Sequence, residues 1–196
     1  MTFQVNRIVQ LQTDAVARWH IQPFDNPNEG WLRLICQQHE ANFRLWHQED
    51  IARSPSATDN QLADVKRSID QLNQRRNDLI EAVDDELAQQ LAHIQPATDA
   101  TLNTETPGSA IDRLSIMALR LFHYEEQFAR TDIDDDFRHT MQGRINVCRQ
   151  QQTDLSTSLQ DLADDLFAGR KRHRTYRQLK MYNDPSLNPA IYDADS

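Results

Sequence analysis

Lys66, Asp70, Asn73, Asn77, Glu81 and Asp84 recur at intervals of three and four residues, which places their carboxylates, carboxamides and ammonium along one stripe of a helix beside an apolar stripe. Such groups can hydrogen-bond a hydroxyl-rich ligand, or they can satisfy one another. Left unpartnered on burial, each costs free energy. Glu40, Phe43, His47 and Asp50 share a face of the preceding helical segment. A short hairpin centred near Ser56 sets His47 opposite Val65 and Lys66, and Glu40 opposite Leu72 and Asn73. The expectation is a network of Glu40, His47, Asp70, Asn73 and Asn77, with His47 in hydrogen-bonding reach of the 66–77 stretch. A solvated flank, or a satisfied network that fixes helix register, is the plainer reading of the same residues.

A second candidate lies further along. Residues 95–108 form a long polar loop without periodicity, and loops of that length are often functional. Glu105-Thr106-Pro107-Gly108-Ser109 then runs into a helix whose free N–H groups, with Ser109 as cap, suit an anion; Asp112 and Arg113 follow on the first turns, then Arg120 and His123. An ordinary capped helix with cations along its side explains these residues equally well. The segment Arg170 to Lys180 carries six Lys or Arg. It can bind phosphate, or it can neutralise the acidic Asp132 to Asp136 end of the chain or a second subunit.

Metal chemistry finds little support in the spacing. His47 and Asp50, with Glu40 and Asp70 or Glu81, supply nitrogen and oxygen ligands, but a di-iron bundle requires Glu-x-x-His pairs. The chain offers His47-x-x-Asp50 and Asp136-x-x-His139 instead, and no metal site is expected. A magnesium-dependent nucleotide pyrophosphatase would need carboxylate pairs that are not cleanly present. Phosphate-binding glycine loops, a nucleophile elbow and a Cys-His pair are missing from the sequence.

The elements that position these residues read as helices. Ile8, Leu11, Ala15, Val16 and Trp19 form one amphipathic face that must stop near Pro23. A second helix runs from about Glu29 to Arg53 and ends before Ser54-Pro55. Thr58 and Gln61 make a capping box for a third, reaching about Ile94. A fourth spans Ser109 to about Arg130, and a fifth Asp132 to Phe167, with Gly169 as its stop. Short connections make two antiparallel hairpins, so the expected fold is all-α: an up-and-down bundle of four long helices plus an N-terminal one, as a single domain over 1–196. Residues 181–196 have no helical period yet keep Met181, Tyr182, Leu187, Ile191 and Tyr192, so an ordered tail with Tyr182 or Tyr192 partly buried is expected.

Only four glycines in 196 residues agree with helices over sheet. A net charge of -9 argues against nucleic acid or an anionic membrane surface as partner. Cys36 and Cys148 sit in apolar helical patterns and read as buried thiols of a reducing compartment. No basic leader and no run of 18 apolar residues occurs, so the expectation is a cytoplasmic protein without an integral membrane segment.

Leu45-Trp46-His47-Gln48-Glu49-Asp50, then Lys66 through Asp78, Asn103 through Ile116, and Lys180-Met181-Tyr182-Asn183-Asp184-Pro185-Ser186-Leu187-Asn188-Pro189 occur in that order. Together they resemble an uncharacterised bacterial family, domain of unknown function forty-two fifty-four. The resemblance implies an accessory role near glycosyltransferases of surface-polysaccharide or lipopolysaccharide assembly. It implies no transferable activity, and neither an enzymatic role nor a cofactor follows from it. The expectation drawn from residues and resemblance together is a domain that binds or acts on a phosphorylated sugar or nucleotide-sugar, with Glu105, Asp112, Arg113 and the basic segment near the anion and Glu40, His47, Asp70, Asn73 and Asn77 reading hydroxyls. A non-enzymatic interaction protein, dimeric or docked on a glycosyltransferase, is the alternative.

Overall fold

The computed structural model describes residues 3–179 and 185–187. Five helices carry it: α1 Val5–Trp19, α2 Gly30–Ala52, α3 Asp59–Gln90, α4 Pro107–Ala129 and α5 Asp135–Phe167. The all-α bundle read from the sequence is thus the fold. Each helix follows from its local chemistry. In α1, Ile8, Gln12, Ala15, Val16 and Trp19 turn inward at helical spacing. The Thr58 hydroxyl accepts from Gln61 N while the Gln61 side chain accepts from Thr58 N, the reciprocal capping box that opens α3. At 32 residues α3 is about 48 Å long.

Two helix starts differ from expectation. Thr106, not Ser109, caps α4, its hydroxyl accepting from Ser109 N at 3.1 Å, and Pro107 takes the first helical position where its missing N–H costs nothing. Asp134 caps α5 through Phe137 N at 2.7 Å, which moves that start from Asp132 to Asp135.

Helix α2 packs most extensively on α3, and α4 on α5, as the two short connections require. Helix α1 closes the bundle against α4, α2 and α5. At one end Val5, Ile8, Ile35, Leu87, Ile111, Leu114 and Leu159 form an apolar cluster; at the other Ala15, Val16, Trp19, Phe43, Ala118 and Leu119 form a second. Polar side chains are buried between them. Gln12 falls between Ile8 and Ala15 on α1, and Asp112 and Ser115 fall between Ile111 and Ala118 on α4.

The 95–108 loop is better anchored than its composition suggests. Thr101–Leu102 (β1) pairs in parallel with Lys171–Arg172 (β2), and Ala97 N donates to Gly169 O at 2.9 Å. Gly169 ends α5 with φ of +71°, and a Cβ there would stand 2.9 Å from Gln95 O, so the helix stop and the loop's return share one glycine. No helix among the described residues is long and apolar enough to cross a membrane. Cys36 and Cys148 are free and buried. The expectation for Tyr182, Tyr192 and the rest of the 181–196 tail lies outside the described residues, apart from a 3-10 turn at Pro185–Leu187 with an exposed Leu187.

Candidate functional site

Asp112 is the centre of the buried polar layer. Its Oδ1 accepts from Gln38 Nε2, from Asn42 Nδ2 at 2.9 Å, and faces Arg76 Nε at 3.3 Å. Asn42 Nδ2 also lies 2.8 Å from Ser115 Oγ, which His39 Nδ1 meets at 2.7 Å. Helical spacing builds this arrangement: Gln38 and Asn42 are one turn apart on α2, Asp112 and Ser115 on α4, and Arg76 reaches in from α3. Burial pushes the Asp112 carboxyl above its ordinary range, against the Arg76 charge and the Asn42 and Gln38 amides. Burial also drives the His39 pKa down to about 3, so its imidazole is neutral at physiological pH.

Over this layer opens a cleft of about 450 Å³ whose lining includes Asn42, Trp46, Arg53, Asn73, Arg76 and Arg120. A larger groove of about 730 Å³ runs on between α4 and α5 past Asn103, Glu105, Arg113, Asp154 and Lys171. Ile116 and Arg120 line both. The smaller cleft is the stronger candidate despite its size. Its lining contains Asn42, which donates to the buried Asp112, and Arg76, which is ion-paired with it, and polar groups placed in that way are preorganised for a ligand.

The residues singled out in the sequence are distributed unevenly over this geometry. Asp112 is buried at the centre and Asn73 lines the cleft. Glu105 and Arg113 form an ion pair at 3.4 Å on the larger groove. Asn77 is buried on α3. Glu40 bonds Arg44 at 2.8 Å and faces Arg75 of α3 at 3.8 Å. Asp70 is exposed and paired with Lys66. His47 makes no hydrogen bond to the 66–77 stretch among the described residues; its Nδ1 lies 3.7 Å from Asp50 and its ring meets Phe43, His20 and His123. The expected five-residue network is therefore not one unit. A two-helix hairpin argument fixes what α2 and α3 show each other, but α1 and α4 also pack on α2 and take the flank that carries His47.

The α4 start is likewise occupied from within. Gly108 N donates to Asp84 Oδ1 at 2.7 Å, so the anion at this helix N-terminus is a carboxylate of α3. A Cβ on Gly108 would stand 2.6 Å from Ile80 O, which is why α3 and α4 can approach so closely here. The basic segment pairs with acids of the bundle: Arg177 with Glu81 at 3.1 Å and Asp85 at 2.9 Å, and Arg170 with Asp165 at 2.6 Å. These are not the Asp132 to Asp136 residues expected, because Asp132 pairs locally with Arg130 at 2.7 Å.

Gln38, His39, Asn42, Arg76 and Ser115 escaped the sequence reading. A signal for three of them was present: Gln38, His39 and Asn42 interrupt the buried face of α2 between Ile35 and Phe43. Outside the cleft, behind Trp46, three histidines approach one another closely enough to share a metal ion.

The family model described as "Protein of unknown function (DUF4254)" matches residues 32–175. The chain belongs to this family. The matched span takes in α2 from its first turn, α3 to α5 and the Asp112 layer, while α1 and its C-cap, which supply Gln12 and His20, lie before it. No curated protein and no solved structure matches the chain.

Proposed function

We propose that this family domain binds or acts on a phosphorylated sugar or nucleotide-sugar in the cleft between α2, α3 and α4, as an accessory to bacterial surface-glycan synthesis alongside a glycosyltransferase. The observation that carries the reading is the convergence of Arg53, Arg76 and Arg120 with Asn42, Asn73 and Trp46 on one cleft. Guanidinium groups offer paired donors that match phosphate oxygens. Carboxamides match the mixed donor and acceptor character of sugar hydroxyls. An indole face suits a sugar ring or a base.

The three arginines are not equivalent. Arg53 is held by Glu49 at 2.9 Å and Arg76 by Asp112 at 3.3 Å. Arg120 has no ion-pair partner among the described residues, and it stands where the two grooves meet. It is the cation with its charge still available to a ligand phosphate, and the larger groove offers room for the rest of a nucleotide-sugar.

Thermal-shift measurements against sugar phosphates and nucleotide-sugars, with and without magnesium, test this. At least one ligand raises the melting temperature of the wild-type protein, and Arg120→Ala loses most of that rise. A complete panel without a shift removes the reading.

A further inference from the structure

We propose that His20, His47 and His123 form a binding site for a divalent transition-metal ion of the zinc class. They come from three separate helices: His20 at the C-terminal cap of α1, His47 on α2 and His123 on α4. One ring nitrogen from each lies within 4.8 Å of the other two. The ring centroids are 5.3 Å (His20 to His47), 5.2 Å (His20 to His123) and 5.8 Å (His47 to His123) apart, with interplanar angles of 73°, 75° and 81°. The rings are crossed, not stacked face to face, and the close approach of one nitrogen from each sets the trio apart from ordinary edge-to-face packing.

The outer nitrogens fix which lone pairs are free. His20 Nδ1 lies 2.7 Å from Val16 O, a carbonyl that can only accept, so Nδ1 carries the proton and Nε2 keeps its lone pair. His123 Nδ1 faces Glu126 Oε2 at 3.3 Å, and His47 Nδ1 faces Asp50 Oδ2 at 3.7 Å. An oxygen behind the imidazole is the arrangement that orients metal-binding histidines; here Val16 O and Glu126 hold His20 and His123 by hydrogen bonds, and Asp50 stands further off behind His47. The second observation is independent. His20 Nε2 and His123 Nε2 are both buried without a hydrogen-bond partner. A buried polar atom without a partner is costly, and one cation between these two satisfies both.

The donor set selects the ion. Three neutral imidazoles suit zinc and its neighbours and offer magnesium or calcium none of the oxygens they require. Nitrogens about 2.0–2.1 Å from a tetrahedral ion sit about 3.3 Å apart, so side-chain rotation that shortens separations now within 4.8 Å closes the shell. Phe122 stacks on His20 at 4.1 Å, Trp46 on His123 at 4.7 Å, and Phe43 closes on His47 at 4.6 Å, so the site is walled by aromatic rings. Three protein ligands leave a fourth position for water on the half-exposed His47 side.

Metal-stripped full-length protein titrated with zinc by calorimetry, and with cobalt followed by visible absorption, tests the site without any sugar ligand. It therefore fails or succeeds separately from the reading of the cleft. One equivalent of zinc binds and cobalt gives the intense bands of tetrahedral coordination; magnesium does not compete. His47→Ala and His123→Ala each weaken zinc binding at least about tenfold, whereas His139→Ala, an exposed histidine of α5, leaves it unchanged. His47→Gln, which keeps a polar side chain at that half-exposed position, gives the same loss and guards against an unfolded variant. Absence of stoichiometric zinc binding, or equal binding by wild type and His47→Ala, overturns the proposal.

Discussion

Arg76 and Asp112 meet at 3.3 Å where α3 crosses α4, the carboxylate buried and the arginine in the lining of the cleft. The pair joins the bundle's interior to its candidate ligand surface. Asp112 also takes Gln38 and Asn42, so one buried acceptor gathers donors from α2 and α3. Replacing it with alanine strands Gln38 and Arg76 and leaves Asn42 with Ser115 alone.

Asp112→Ala is expected to lose about 2–4 kcal/mol of stability, since removing one partner of a buried ion pair leaves the other and its amide neighbours desolvated without compensation. Asp112→Asn keeps an acceptor oxygen and loses less. Urea denaturation of both variants checks this. Equal stability of the alanine variant and the wild type would show that the donors find water instead.

Acid sensitivity follows from His39. Unfolded, its imidazole takes a proton at about 6.5; folded and buried, it does so only at about 3. Between those values the unfolded chain binds the extra proton, so stability present above pH about 6.5 declines as pH falls toward 3. His47, also held low, acts in the same direction. Asp84 and Asp112 act oppositely: burial raises both, so their protonation favours the folded state and offsets part of the loss at the acid end. His39→Gln, whose amide can still bond Ser115, should flatten the fall in melting temperature between about pH 6.5 and pH 4.5. An unchanged slope would assign the acid response to other groups.

The helices were legible because apolar residues at three-and-four spacing are a property of one segment at a time. Thr58 with Gln61, and Gly169 after Phe167, carry their meaning within a few residues. The site was legible only in pieces. Asp112 and Asn73 stood out from local pattern, but Asp112's partners Gln38 and Arg76 belong to other helices, and only packing brings them together. His20 and His123 lie more than a hundred residues apart, with no motif spacing to link them. The grouping of Glu40, His47 and Asp70 failed for the same reason: helix periodicity shows which residues share a face, not which third helix will cover it.

Two glycines should respond to alanine with opposite signs. At Gly108 a Cβ meets Ile80 O at 2.6 Å and Asp84 Cγ at 2.9 Å, and a backbone oxygen on a packed helix yields only at a cost of about 1–3 kcal/mol. At Gly143, in the interior of α5, a Cβ meets nothing within 4 Å. There the substitution removes backbone freedom from the unfolded chain and gains about 0.5–1 kcal/mol. Thermal denaturation of Gly108→Ala and Gly143→Ala side by side decides the matter; a drop in both would mean that α5 is contacted where it stands open.

Trp46 offers a single reporter for both proposed sites. Its indole lines the cleft and stacks on His123 at 4.7 Å with an interplanar angle of 8°. Trp31 is buried in the far apolar cluster, and Trp19, buried in the nearer one, packs on Phe43 at 5.7 Å but lines neither the cleft nor the nitrogen cluster itself. A sugar phosphate entering the cleft replaces water against one part of the Trp46 ring, and a metal on His123 places positive charge close to the other. Each event should therefore change tryptophan emission, and the two titrations should give distinct spectra. Trp46→Phe should abolish the sugar-phosphate change and most of the metal change, the remainder coming from Trp19 beside His20, while leaving the emission of Trp31 in place. A full sugar-phosphate response that survives in Trp46→Phe would place that perturbation elsewhere in the bundle and separate it from the wall that the cleft and the histidines share.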